Sequence, residues 1–192
     1  MTLGNNMHSG YLAGQMLVAM PGMTDPRFER SVIYLCVHNE EGAMGLILNQ
    51  LLDTITFNEL LDQLDIPKTS PENEIKVHFG GPVEAGRGFV LHSSDYARDG
   101  TVLMEDGVGL TATIDVLRDI SNGTGPQNKV LALGYAGWGP GQLDSELQEN
   151  AWLTCPAKGD ILFDDELFTK WDRAMTTIGI DPALLSGEAG HC

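Results

Sequence analysis

The sequence predicts an α+β domain on a mainly antiparallel sheet, coiled or partly closed, with about four helices packed around it. Three observations predict this. Apolar runs of strand length recur along the chain, bounded by turn residues. Two of the links between runs are short enough to be hairpins, and hairpins join antiparallel neighbours, whereas parallel strands need a crossover of a dozen or more residues. Four segments carry helix start and stop signals.

The runs come in order. Gly14 to Met20, Val32 to Val37 and Ala43 to Leu48 are the first three. Ile75 to Phe79, Gly88 to His92, Thr101 to Met104 and Val108 to Thr111 follow, then Lys129 to Leu133, Ala151 to Thr154 and Asp160 to Phe163. His38 to Gly42 is a hairpin-length link. Asp106-Gly107 is another, in the pairing that a type I′ turn prefers.

Thr56-Phe57-Asn58-Glu59 reads as a capping box that opens a helix to about Leu64. Ile114 to Ser121 is apolar at helical spacing, with Gly123 just beyond its end. Pro140, as a first-turn residue, opens a third helix to about Asn150. Asp164 is the expected N-cap of a fourth, running to about Thr177, acidic at its start with Lys170 and Arg173 later and Gly179 as its stop. No composition shift or linker divides the chain. One domain over residues 1–192 is expected, with 1–10 and 186–192 as flexible ends.

Composition narrows the function classes. With 192 residues, 42% hydrophobic and 20% charged, the chain is of ordinary globular make-up. Lys and Arg total 11 against 27 Asp and Glu, a net charge of −16, and no two basic residues are adjacent. Nucleic-acid binding needs concentrated positive charge to displace counterions, so this balance argues against it. No apolar run reaches the roughly 20 residues of a membrane span, and no charged, apolar leader opens the sequence. A cytoplasmic location without membrane contact is the expectation. Cys36, Cys155 and Cys192 are odd in number and widely spaced, as expected of free thiols rather than a disulfide or zinc framework.

Three glycine-rich or proline-rich corners are where chemistry could sit. Phe79-Gly80-Gly81-Pro82-Val83 leaves a strand with open backbone; it is either a tight bend or a place where a partner approaches the main chain. Gly134-Tyr135-Ala136-Gly137-Trp138-Gly139-Pro140-Gly141-Gln142-Leu143 reads as strand, glycine loop and helix, without the Gly-Lys-Ser/Thr of a phosphate loop. Trp138 and Tyr135 there either plug the core or line a pocket, and Gln142 and Glu146 share a helix face. The third corner, Pro21 to Ser31, offers an Asp25–Arg30 pair. His78 and His92 flank the Gly-Gly-Pro bend and could face each other across a hairpin, but two ligands do not make a metal site; no metal and no cofactor is expected. No nucleophile elbow surrounds Ser31, Ser93 or Ser186.

At these corners the chain resembles the bacterial YqgE/AlgH family. The resemblance is carried by Gln15 to Met23, Asp25-Pro26-Arg27-Phe28, Ser31-Val32, Gly42 to Asn49, Gly80 to Val83, Gly88 to His92, the Gly134 to Leu143 corner with Glu146, Trp171 and Gly179-Ile180-Asp181. It covers nearly the whole chain; Cys192 stands where a small residue such as Ala would be expected. The resemblance implies a cytosolic α+β protein with a coiled, barrel-like antiparallel sheet. The family carries a transcriptional-regulator label without an assigned biochemical function, so no catalytic residue is carried over.

The leading reading is a non-enzymatic binder of a small ligand or protein partner, with at most an indirect effect on gene expression. Its candidate binding residues are Asn49, Gly80, Gly81, Pro82, His92, Tyr135, Gly137, Trp138, Gln142 and Glu146. An enzyme with Asn49, His92, Gln142 and Glu146 around a glycine-lined cleft is the alternative, and a direct DNA-binding regulator is the third reading. Convergence of those four side chains in one pocket would favour the enzyme or the small-ligand reading, a flat apolar patch a partner protein, and a basic stripe direct DNA binding.

Overall fold

A computed structural model describes residues 11–68, 70–104 and 106–186. Of the expected flexible ends, 1–10 and 186–192, all but Ser186 lie outside the described residues, Cys192 included.

Nine strands build one curled, half-barrel sheet. They are β1 (Gln15–Ala19), β2 (Val32–Asn39), β3 (Gly42–Ile47), β4 (Val77–Phe79), β5 (Val83–Ser93), β6 (Thr101–Leu103), β7 (Val108–Thr111), β8 (Lys129–Trp138) and β9 (Trp152–Pro156). Their order is β6-β7-β5-β8-β3-β2-β1-β9, with β4 beside β8. Every pairing is antiparallel except β4 with β8. The helices among the described residues are α1 (Phe57–Gln63), α2 (Ile114–Asn122), α3 (Gln142–Gln148), α4 (Gly159–Leu162), α5 (Leu167–Thr177) and α6 (Pro182–Ser186).

Most of the strands read as unbroken apolar runs because both faces are covered over much of the sheet. Successive side chains point to opposite faces. Met16 and Val18 enter the core of the inner face with Tyr34, Leu46, Leu91 and the α5 residues Trp171, Ala174 and Met175. Leu17 and Ala19, one position on, enter a second core with Ile33, Ile47, Ala136 and Leu143 of α3. The outer face of β4, β5 and β8 forms a third with α1 and α2 through Val90, Leu131, Phe57, Leu61, Val116 and Ile120.

Several local expectations hold. Thr56 and Glu59 form both bonds of the capping box. Gly123 closes α2 in the left-handed region, at φ 81°. Asn39 pairs with Gly42 across the first hairpin.

Others are corrected. The β6–β7 hairpin is closed by Gly107 N–H on Met104 O and Met104 N–H on Val108 O, so Asp106 and Gly107 are not the two central residues of a two-residue type I′ turn. Asp160 to Phe163, read as a strand, falls mostly in α4, because Lys158 O accepts from both Ile161 and Leu162. The helix after Pro140 starts at Gln142 and ends at Gln148. Asp164 does not cap α5, which begins at Leu167 with Glu166 at its N-cap; the Asp164 carboxylate is held instead by Arg173 and by Lys170 Nζ at 3.2 Å.

β4 positions the middle of the sheet. Gly80 N–H donates to Leu133 O at 2.8 Å, and Gly80 O accepts from Ile47 N–H at 2.9 Å. The end of β4 is thus wedged between β3 and β8. The backbones meet so closely that a Cβ on Gly81 would lie 2.0 Å from Tyr135 C, and one on Gly134 would lie 2.3 Å from Gly81 O. The Gly-Gly-Pro bend and the glycines of β8 are therefore one interlocked device, and only glycine allows that approach.

Candidate functional site

β8 does not stop at Leu133, and this reshapes the second glycine corner. Tyr135 to Trp138 remain in the strand, where Gly137 pairs with Met44 and Trp138 with Ala43. Alternation then separates their roles. Trp138 turns to the α3 side and is buried; Tyr135 and Gly137 turn to the other.

On the Trp138 side, Glu146 is a structural hub. Its Oε1 accepts from Trp138 Nε1 at 3.1 Å and Trp152 Nε1 at 2.9 Å, and its Oε2 accepts from Gln142 Nε2 at 2.9 Å. Gln142 Oε1 accepts from Gly139 N–H at 3.0 Å, closing the first turn of α3. Gln142 and Glu146 do share a face, and their polar atoms bind the two indoles and the backbone.

Asn49 lies elsewhere. Its Oδ1 accepts from Val32 N–H at 3.0 Å, and its Nδ2 donates to Arg30 O at 2.9 Å, tying the end of β3 to the start of β2. His92 is fully buried on β5. Nδ1 donates to Ser93 O at 2.8 Å, so Nε2 is the acceptor for the Thr111 hydroxyl, also at 2.8 Å. His78 and His92 do not face each other: they flank β8 on opposite edges, paired with Ala132 and Lys129. His78 contacts Leu131 O at 3.2 Å, and burial pulls its pKa down. Among the described residues, no three His, Cys, Asp or Glu side chains gather as a metal site would need. Asn49, His92 and the Gln142–Glu146 pair therefore occupy three separate places.

One further expectation is corrected and one holds. Asp25 pairs with Arg27 at 2.7 Å, not with Arg30, which lies over the Trp171 ring at 4.4 Å and reaches Asp172 at 3.4 Å. Cys36 and Cys155 are buried free thiols, and burial pushes Cys36 up to about 12, which leaves it protonated and inert at neutral pH.

What the fold does create is a trough on the Tyr135 and Gly137 side. It has a volume of about 700 Å³ and opens to solvent. β2, β3, β8, β5, β7 and β6 all contribute to it, which requires the sheet to be concave there. Apolar walls come from Val37, Met44, Val83, Phe89, Val102 and Leu110. Val37, Val83 and Val102 are 43%, 36% and 56% exposed, three large apolar side chains left to solvent around one hollow. Its floor is Gly137, which is exposed although it sits within a strand. A Cβ there would meet Tyr135 Cε2 at 3.4 Å and Val83 Cγ2 at 3.6 Å, ordinary contacts, so the missing side chain is space rather than a packing requirement.

One rim of the trough is a bulge. Val83 pairs with Tyr135 and Gly88 with Leu133, so residues 84–87 of β5 stand opposite the single residue Gly134. Glu84 in this bulge has φ 47°, a conformation that costs a non-glycine residue energy and often marks functional backbone. The Glu84 carboxylate neighbours the Tyr135 hydroxyl, and its interaction with the phenol first, with some burial, raises the phenol's pKa. Arg87 lies 3.6 Å from Glu84 and over the Phe89 ring at 5.0 Å, and Phe89 meets Tyr135 edge to face at 5.8 Å. Of the sequence-predicted candidates, Tyr135 and Gly137 line the trough, Trp138 borders it although it packs in the core on the α3 side, and Gly80 and Gly81 adjoin the backbone of residues 134–136. Arg87, Phe89 and Val102 were missed. No strand alternation marks Arg87 and Phe89 in the sequence, because residues 84–87 bulge out of register between Val83 and Gly88.

A half-barrel α+β protein with an open apolar trough is thus the class that fold and site define. The chain belongs to the AlgH-like family, whose profile matches residues 16–183. A protein of the UPF0301 group from Rhodospirillum rubrum is 55% identical over 96% of both chains. Another from Bradyrhizobium diazoefficiens is 56% identical over 95% of this chain and 89% of its own. The solution structure of the AlgH protein from Pseudomonas aeruginosa superposes with a TM-score of 0.77 at 42% identity, covering 95% of this chain and 97% of that one. A Corynebacterium diphtheriae protein shares the fold at 22% identity, with a TM-score of 0.72 and 96% of each chain covered. The family has no assigned biochemical function. No helix among the described residues is long and apolar enough to cross a membrane.

Proposed function

We propose that this is a cytosolic, non-enzymatic binding protein whose trough holds a small, largely apolar ligand, and whose influence on transcription is at most indirect. The observation that carries the reading is the exposed trio Val37, Val83 and Val102 around a hollow of about 700 Å³. That volume is within the ~300–1,000 Å³ common for small-molecule sites, and such sites are mostly apolar with a few placed polar groups. The four polar side chains are engaged in separate structural bonds, which removes support from the enzyme reading and from a ligand site built on them; the small-ligand reading rests on the apolar trough instead.

Gly137→Val tests the proposal. The substitution fills the floor with a β-branched side chain suited to a strand. The expected outcome is that a neutral fluorescent probe, N-phenylnaphthylamine, is taken up by the wild type and excluded by G137V, while the urea midpoint changes little. Equal uptake by both proteins, or none by either, would show that the trough is not a binding site.

A further inference from the structure

We infer that Arg87 is the recognition residue of the trough, and that the ligand is an apolar molecule bearing one carboxylate. This rests on the trough being the binding site. Arg87 is the one cation among the lining residues. Its guanidinium is placed over the Phe89 ring at 5.0 Å, yet among the described residues it donates no hydrogen bond; its partner Glu84 is 3.6 Å away. Most of the chain's other arginines spend their donors. Arg27 binds Asp25 through two nitrogens, Arg118 binds Asp115, and Arg173 binds Asp164 and Glu166 O. A guanidinium fixed by stacking, with its fork of donors unused at the lip of an apolar hollow, matches the planar two-oxygen geometry of a carboxylate.

The charge of the ligand follows from what surrounds that fork. Glu84 and Glu41 both border the site, and the molecule carries −16. A phosphate dianion would need more neutralisation than one half-paired arginine supplies. A monoanion needs only that Arg87 exchange a loose ion pair with Glu84 for a hydrogen-bonded one. Glu84 is not stranded by the exchange, since its side chain is about half exposed to water. The bulge at residues 84–87 is exposed throughout, so the arginine can adjust without disturbing the core.

Octanoate, octanol and octylammonium share one apolar tail and differ in charge. Their binding is followed by the amide shifts of Gly137 and Val102 in nuclear magnetic resonance titrations. Octanoate is expected to bind about tenfold or more tightly than octanol, the worth of one charge-assisted hydrogen bond. Arg87→Met keeps the apolar stem over Phe89 and is expected to abolish that preference while leaving octanol affinity within about twofold. If octanol or octylammonium binds as well as octanoate, or if R87M retains the preference, the carboxylate assignment is wrong while the trough stands. If none of the three shifts these amides, the trough reading falls with it.

Discussion

At the scale of single residues, a polar group in a suggestive place can be there for another polar group. Glu146 looks like an acid or base beside a glycine corner, yet its two oxygens accept from two indoles and an amide. Removing it should act on stability. Each buried N–H left without an acceptor costs about 1–3 kcal/mol. Glu146→Ala is therefore expected to lower the unfolding free energy by about 2–5 kcal/mol in urea titrations, with Glu146→Gln losing less because one acceptor oxygen remains. Gln142→Ala should cost about 1 kcal/mol or less, since its bonds are exposed. If Glu146→Ala left stability intact and abolished probe uptake, the hub would be a site after all. Gly109 makes the same point. A Cβ there would lie 2.4 Å from His92 Cε1, and His92 is locked on both nitrogens. Gly109→Ala should cost about 1–3 kcal/mol by overpacking, and should cost less in a His92→Ala background.

At the scale of elements, the α4–α5 connection shows where sequence reading succeeds and where it stops. Lys170 of α5 is fully buried, and its ammonium donates to Ile161 O and approaches Asp164. Burial alone would raise the pKa of Asp164. The hydrogen bond from Arg173 and the charge and hydrogen bond of Lys170 outweigh it and hold the carboxyl low. Because the folded value is depressed, the stabilisation is present above the unfolded aspartate value, near pH ~4, and is lost as pH falls through the folded one. Arg173→Met should therefore reduce the loss of stability that sets in as pH falls below about 4, read from urea midpoints. Helix ends with local chemistry were legible: the Thr56–Glu59 box and the Gly123 stop depend only on neighbours in sequence. The Asp164 cap was not, because a partner nine residues on competes for the same carboxylate. Nine of ten predicted strand runs are strands because both sheet faces are apolar. The tenth, at α4, and the continuation of β8 through the glycines depend on which backbone lies alongside. The trough is the hardest feature to read in advance, since it is made by six strands at once and by the absence of a side chain at Gly137.

At the scale of the whole molecule, charge decides which partners can approach. The net charge is −16, and among the described residues most of the basic side chains are paired with carboxylates. Arg27 is paired with Asp25, Arg30 with Asp172, Arg87 with Glu84, Arg98 with Asp119, Arg118 with Asp115, Arg173 with Asp164 and Lys68 with Asp62. Each phosphate contact to DNA would have to displace one of these carboxylates before releasing a counterion, and counterion release supplies essentially all non-specific affinity. Screening over roughly 8 Å at cellular ionic strength weakens the repulsion between the acidic surface and the duplex, but it creates no attraction. A monovalent carboxylate differs from DNA here, because it meets one arginine at short range and carries a single charge. The protein is therefore expected to give no gel shift with random or promoter duplexes at physiological salt, in the same concentration range in which the trough takes up octanoate. Submicromolar DNA binding that falls steeply with added salt would restore direct regulation, and would require a cationic surface beyond the paired residues named above.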